Sequence, residues 1–269
     1  MAERGRSARY YMTAGEFWRE GLAQWAIPKE ILAQAPTSPW IHPVQMFTVV
    51  QDQDAQLSPS DMQARAALTS GRDSVLDIGC GGGRSTAPLI PPATNVIGVD
   101  HQEVMLQKFS EMALARGATP QTFLGDWPEI SGQVPKADVV VCHHVLYNVE
   151  EIEKFLVALN EHARHRVVIE LPLHHPLHSQ SWLWQHFWGI SRPTEPNAHL
   201  ALEIIRDLGY RAEMTEWSSP MRANISLDEK VEFTRIRLCL TADRDEEIRE
   251  LLINHEEPER ELVTLWWDV

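Results

Sequence analysis

From residue 73 onward, short apolar runs alternate with stretches whose apolar residues recur every three or four positions. The runs at 74–78, 95–99, 121–124, 138–142 and 166–171 have the length and β-branched content of strands, and Val139-Val140-Val141 suits a strand covered on both faces. Between the second and third runs, Met105, Phe109, Met112 and Ala113 share one helical face, and Gly117 stands where a helix ends. Between the fourth and fifth, Ile152, Phe155, Leu156 and Leu159 repeat that logic, with Asn148 as expected N-cap and Glu151 three residues on. Later segments predict a helix over 200–208 ending at Gly209, strands over 211–217 and 232–240, a charged helix over 243–254, and a tail ending in Leu265-Trp266-Trp267. Strands alternating with helices imply an α/β fold with a parallel sheet, and seven strands in one sheet is the natural sum.

Before residue 73 the pattern changes. Residues 17–26, 31–35 and 60–69 read as helices, interrupted by Pro28, Pro36, Pro39 and Pro43. Residues 1–70 are therefore expected to form a helical cap or lid, 71–242 the core with an aromatic and histidine-rich insertion at 174–194, and 243–269 a C-terminal helix and tail.

The chemistry concentrates where the first strand ends. Asp77-x-Gly79-x-Gly81-x-Gly83 follows that strand directly, and glycine allows both a sharp turn and close approach by a ligand. In an open sheet such a loop lies at the carboxyl ends of the strands, where ligands bind. Asp100 ends the next strand and can accept two ribose hydroxyls. The dinucleotide fingerprint G-x-G-x-x-G fails in both registers, ending at Arg84 or Thr86, and no Gly-Lys-Ser/Thr of a P-loop follows. An acid heading the turn repels a pyrophosphate but suits the amino group of a methionine moiety. The cofactor expected is S-adenosyl-L-methionine.

On these residues the chain resembles the class I S-adenosylmethionine-dependent methyltransferases over about residues 73–240. VLDIGCGGG is similar to that family's first motif, VIGVD to its second, FLGDW to its third and ADVVVCHHVLYNV to its fourth. The resemblance implies a Rossmann-like seven-stranded sheet of order 3-2-1-4-5-7-6 with helices on both faces. It also implies adenine contacts from Asp126 and Trp127, within a cofactor set of Asp77, Gly79, Gly81, Gly83, Asp100, His101, Asp126, Trp127 and Cys142. Two departures stand out. Strand four ends in Cys142-His143-His144 rather than Asn/Asp-Pro-Pro-Tyr, and Pro88 falls early in the segment after the glycine turn, so a helix there must be short.

His144, and less strongly His143, are candidate bases, because imidazole titrates near neutrality and a hydroxyl acceptor must lose a proton. His174, His175, Trp182 and Trp188 are candidate substrate contacts. A metal cluster among the histidines is disfavoured, since Pro176 breaks any helical spacing and no acidic ligand set accompanies them.

Composition narrows partners. Lys plus Arg number 24 against 38 Asp plus Glu, a formal charge of −14, which disfavours nucleic acid and anionic membrane surfaces. Three dispersed cysteines, no signal-peptide pattern and no membrane-length apolar run point to a reducing, cytoplasmic setting. The reading is a methyltransferase acting on a small, partly apolar molecule, at oxygen in preference to ring nitrogen. The alternatives are an RNA or protein methyltransferase, or a non-catalytic protein that binds the same cofactor.

Overall fold

A computed structural model describes residues 12–39, 56–219, 226–255 and 259–269. Parts of the expected N-terminal cap, with Pro43, lie outside these residues. Five strands form the parallel part of one sheet: β1 (Ser74–Ile78), β2 (Asn95–Asp100), β3 (Thr119–Leu124), β4 (Ala137–His143) and β5 (Ala163–Pro172). With β6 (Glu213–Ser219) and β7 (Arg260–Asp268), the order is β3-β2-β1-β4-β5-β7-β6, and β7 runs antiparallel to both of its neighbours. The expected topology is present.

The period-two alternation of the strands divides the interior into two cores. Leu76, Ile78, Val140, Cys142, Val167, Ile169, Val263, Leu265 and Trp267 pack on one face, beneath α1 (Ala14–Gln24), α5 (Ile152–His162) and α7 (Ala198–Asp207). Val75, Val96, Val139, Val141 and Val168 pack on the other, beneath α3 (Pro59–Ala66) and α4 (Glu103–Ala115). A smaller third core joins α2 (Lys29–Leu32), α6 (Ser181–Trp188), α8 (Leu227–Arg237) and α9 (Asp245–Asn254) through Ile31, Leu183, Trp184, Val231 and Ile248.

Four local expectations are corrected. Residues 232–240 are not a strand: a Ser226–Glu229 capping box starts α8, whose Val231 and Thr234 turn to one side at helical spacing. The missing strand is the supposed tail, so the sheet is completed well beyond residue 242. Leu262, Val263, Leu265 and Trp267 are buried in β7, and the Trp267 Nε1–H donates to Asn160 at 2.9 Å. Asn148 does not cap α5. It ends a 3-10 turn, and Glu151 takes the N-cap position, because Tyr147 is buried and donates to the Pro172 carbonyl, holding the preceding turn against β5. Finally, no α-helix follows the glycine turn, only a 3-10 turn at Ala87–Leu89 with proline in its first positions.

No helix among the described residues is long and apolar enough to cross a membrane.

Burial of Trp267 between β5 and β6 predicts that Trp267→Ala lowers the unfolding free energy by about 3–5 kcal/mol. Urea titration checks this, and a loss below about 1 kcal/mol would contradict a structural role for the C-terminal strand.

Candidate active site

The site is built where β1, β2, β4 and β5 end side by side. After β1 the chain turns through Gly79, Gly81 and Gly83, all at positive φ (71°, 50° and 86°). A Cβ on Gly79 would lie 2.4 Å from Val145 Cγ2, while one on Gly81 would meet nothing within 4 Å. The first glycine thus permits close packing on the β4 exit, and the second leaves an open cradle. The Gly79 and Cys80 N–H groups donate to the Val99 carbonyl, tying the turn to β2.

Asp77 is fully buried beneath this turn. Its Oδ2 accepts from the Ser85 and Thr86 hydroxyls, the latter at 2.7 Å, whereas Oδ1 has no donor. Burial raises its pKa, partly offset by those two hydrogen bonds. Asp100 accepts one backbone N–H on each oxygen, from Gly81 and Gln102, both at 2.9 Å. Each oxygen keeps a further lone pair. Exposed His101 and Asp126 lie 3.5 Å apart at the neighbouring corner.

The remaining expected cofactor residues are more enclosed. Trp127 is buried, with the His162 ring packed edgewise against it at 4.7 Å and its indole N–H unpartnered. Cys142 is fully buried on the core face of β4, and burial pushes its thiol well above the ordinary range.

Beside the glycine turn, β4 and β5 bring His143 level with Glu170. His144 follows with left-handed backbone, φ 61°, which side chains bearing a Cβ rarely adopt. Its N–H donates to the Glu170 carbonyl at 2.7 Å, and its Nε2 lies 3.0 Å from Glu170 Oε1. His143 Nδ1 lies 3.9 Å from Glu170 Oε2, and its buried Nε2 has no partner. Burial opposes the Glu170 charge, but His143 and the hydrogen bond from His144 outweigh it, holding the carboxyl well below the ordinary range. For His144, burial lowers the pKa and Glu170 only partly restores it, so the ring is neutral at pH 7. Glu170 was not among the expected site residues. Its signal was an acid inside the apolar run Val167-Val168-Ile169-Glu170-Leu171.

The expected substrate residues separate into two groups. His174 and His175 lie on the rim after β5. His175 stacks on Trp25 at 4.1 Å and meets Tyr147 edge-on, and burial with Arg192 nearby pushes its pKa down to about 3. His174 packs on His178 at 4.6 Å. Trp182 and Trp188 are not assembled with them: Trp182 stacks on His255, and Trp188 donates to the Leu238 carbonyl, both in the third core. Among the described residues, no group of three His, Cys, Asp or Glu side chains is arranged to hold a metal ion.

The family model of the methyltransferase domain matches residues 75–166, from β1 to the start of β5. Residues 75–166 are thus similar to a methyltransferase domain. Ubiquinone biosynthesis O-methyltransferases of Rickettsia canadensis and Rickettsia felis are 28% and 29% identical over 90 residues, 34% of this chain. The match spans only 38% and 36% of those relatives' own length. Among solved structures, the YcgJ protein of Bacillus subtilis shares the fold at TM-score 0.53 and 15% identity, over 78% of this chain and 97% of that one. Magnesium protoporphyrin IX methyltransferase of Synechocystis PCC 6803, with S-adenosylhomocysteine bound, does so at 0.50 and 18%, over 93% and 95%.

The neutral histidines predict acid sensitivity with a definite sign. His144 and His175 have folded pKa values below the ordinary 6.5, so the unfolded chain binds more protons as pH falls through 6.5, and stability drops with it. Glu170 adds a second loss below about pH 4.5, as the unfolded carboxyl protonates first. Thermal melts from pH 7 to 5 should therefore fall, and His175→Gln should flatten the slope by up to about 1.4 kcal/mol per pH unit. An unchanged slope would show that His175 is not held neutral.

Proposed function

We propose that the protein transfers a methyl group from S-adenosylmethionine to an oxygen of a small, partly apolar acceptor. The observation that carries this is the placement of the open glycine cradle beside a neutral imidazole, His144, whose other nitrogen is engaged by an ionised carboxylate.

The residues present fit the cofactor. Asp77 holds a buried acceptor oxygen without a donor beneath the turn, matching an ammonium group, and Gly81 leaves room for a ligand against the backbone. The spare lone pairs of Asp100 suit ribose hydroxyls, with His101 and Asp126 toward the base. Trp127, as a buried ring, supports that pocket from below. When bound, the cofactor supplies an electrophilic methyl group, already activated by its sulfonium charge. The protein's remaining tasks are alignment and deprotonation. His144 takes the hydroxyl proton on Nδ1, and the Glu170 carboxylate stabilises the resulting imidazolium through Nε2–H. Because both groups are shielded from water, their mutual attraction is stronger than at a surface.

Support for oxygen comes from this base and from the O-methyltransferase names of the matched relatives. Support for a partly apolar acceptor comes from the rim, where His175 stacks on Trp25 and meets Tyr147 edge-on in one aromatic cluster. The acidic net charge agrees with a small molecule rather than nucleic acid.

Two outcomes test the reading. Asp100→Ala should weaken S-adenosylmethionine binding about tenfold or more, as charge-assisted hydrogen bonds are lost. Calorimetry giving unchanged affinity removes Asp100 from the ribose. His144→Ala should lower kcat about 100-fold while cofactor affinity stays within about twofold. Equal rates on an acceptor found by screening oxygen nucleophiles with labelled cofactor would end its role as base.

A further inference from the structure

Arg192 follows the aromatic insertion and reaches back to the rim. Its Nη1 donates to the carbonyls of Trp25 at 3.3 Å and Ala26 at 3.1 Å. Its guanidinium carbon lies 4.1 Å from the Trp184 ring centroid and 5.8 Å from that of Trp25. The other edge of the fork is different. Nε and Nη2 are both buried, and neither has a hydrogen-bond partner. Among the described residues Arg192 forms no ion pair. Cys239, the ionisable group that acts on it, is kept a protonated thiol by burial.

A guanidinium taken partly out of water with no counter-ion and two N–H groups unpaired is destabilising. Arginine cannot relieve the deficit by losing its proton. Nε–H and the neighbouring Nη2–H point the same way along one edge, at the spacing of the two oxygens of a carboxylate. The carbonyls on Nη1 hold the opposite end, so the edge is set before anything binds. The residue as a whole is half-buried, which puts that edge near the surface.

The neighbouring rim groups leave this charge in place. His175 stacks on the same Trp25 at 4.1 Å and accepts the Leu177 N–H on Nδ1, and burial together with Arg192 keeps its ring neutral. His178 meets Trp25 edge-on at 6.5 Å, and Glu261 acts on His178. Arg192 thus presents an unneutralised positive charge at the rim of a chain whose formal charge is −14.

We propose that Arg192 sets acceptor specificity, and that the acceptor is a partly apolar hydroxy acid whose carboxylate lies along Nε–H and Nη2–H. The apolar body then packs beside the His175–Trp25 stack, and the hydroxyl receives the methyl group. The carboxylate is a handle and not the nucleophile. This inference rests on the reading of the site as one that methylates an oxygen of a small molecule.

The test reads binding, so it does not depend on turnover. Benzoate, phenylacetate and 3-phenylpropanoate, each beside its own amide, are titrated by calorimetry into the full chain saturated with S-adenosylhomocysteine. At least one acid should bind about tenfold or more tightly than its amide. Arg192→Gln should abolish that preference, and Arg192→Lys, which keeps the charge without the fork, should keep only part of it. Affinity for S-adenosylhomocysteine should stay within about twofold in both variants. A larger loss in a folded variant would move the carboxylate to the cofactor and overturn the assignment. Where the variants fail to fold, arginine Nε–H NMR on the labelled wild type decides: one exchange-protected signal should shift downfield with the acid and stay put with its amide. Equal affinities for acid and amide throughout, or no Nε–H signal that moves, overturn the proposal. If the acid preference depends on Arg192 but hydroxylated acids take no methyl group from labelled cofactor, the carboxylate site stands and the proposed transfer to oxygen fails. If wild type and Arg192→Gln methylate hydroxy acids equally well, the transfer stands and the role of Arg192 falls.

Discussion

A carboxylate taken out of water between two strands is tolerable only where donors replace its hydration. Glu170 meets that demand with His144 from the β4 exit and His143 beside it, while the buried Ser60 of α3 pairs with Thr264, which lies level with the acid on β7. Each contact fixes an element that would otherwise be free to slide. α3 docks with Ser60 and Ala64 inward, four residues apart. β7 keeps a register that puts Thr264 level with the acid. The left-handed backbone of His144 is held by its own N–H on the Glu170 carbonyl. Strain of this kind persists only where surroundings over-determine it.

The second buried carboxylate, Asp77, is treated in the opposite manner. It has two hydroxyl donors on one oxygen and none on the other, and burial raises its pKa while that of Glu170 is lowered. Two acids in one sheet, shifted apart by their surroundings, divide the work of a site. On the proposed reading, the well-satisfied acid orients a base and the under-satisfied acid suits a cationic ligand. Neither task can be exchanged, because the glycine turn opens above Asp77 alone.

Much of this was legible from residue patterns. Strands β1 to β5 announced themselves by length and β-branched content, and the glycine spacing with Asp100 decided the ligand class against pyrophosphate. What escaped was whatever depended on partners distant in sequence. Residues 232–240 alternate much like a strand, yet the capping box at Ser226 and Glu229 decides for helix. The tail carries two adjacent tryptophans and reads as irregular until β5 and β6 flank it. Glu170 looked like a lapse in an apolar run, because the imidazoles beside it, His143 and His144, come from another strand and its exit. Periodicity reports what one element needs. It does not report which far side chain satisfies it.

The insertion after β5 shows the same principle at the substrate side. Its aromatic residues were expected to line the cleft together, but the segment has two parts. His174, His175 and His178 remain on the rim against Trp25 and Tyr147. From residue 181 onward the helix turns Leu183 and Trp184 into the third core, and Arg192 closes the junction. Its guanidinium lies 4.1 Å from the Trp184 ring centroid and donates to the carbonyls of Trp25 and Ala26. A partly desolvated cation over indole contributes on the order of 1–2 kcal/mol. The rim is thereby anchored to a core that shares no strand with the sheet. On the proposed reading, the side chains that would meet the acceptor draw on this core as well as on β5, whereas the imidazoles beside Glu170 belong to the sheet alone.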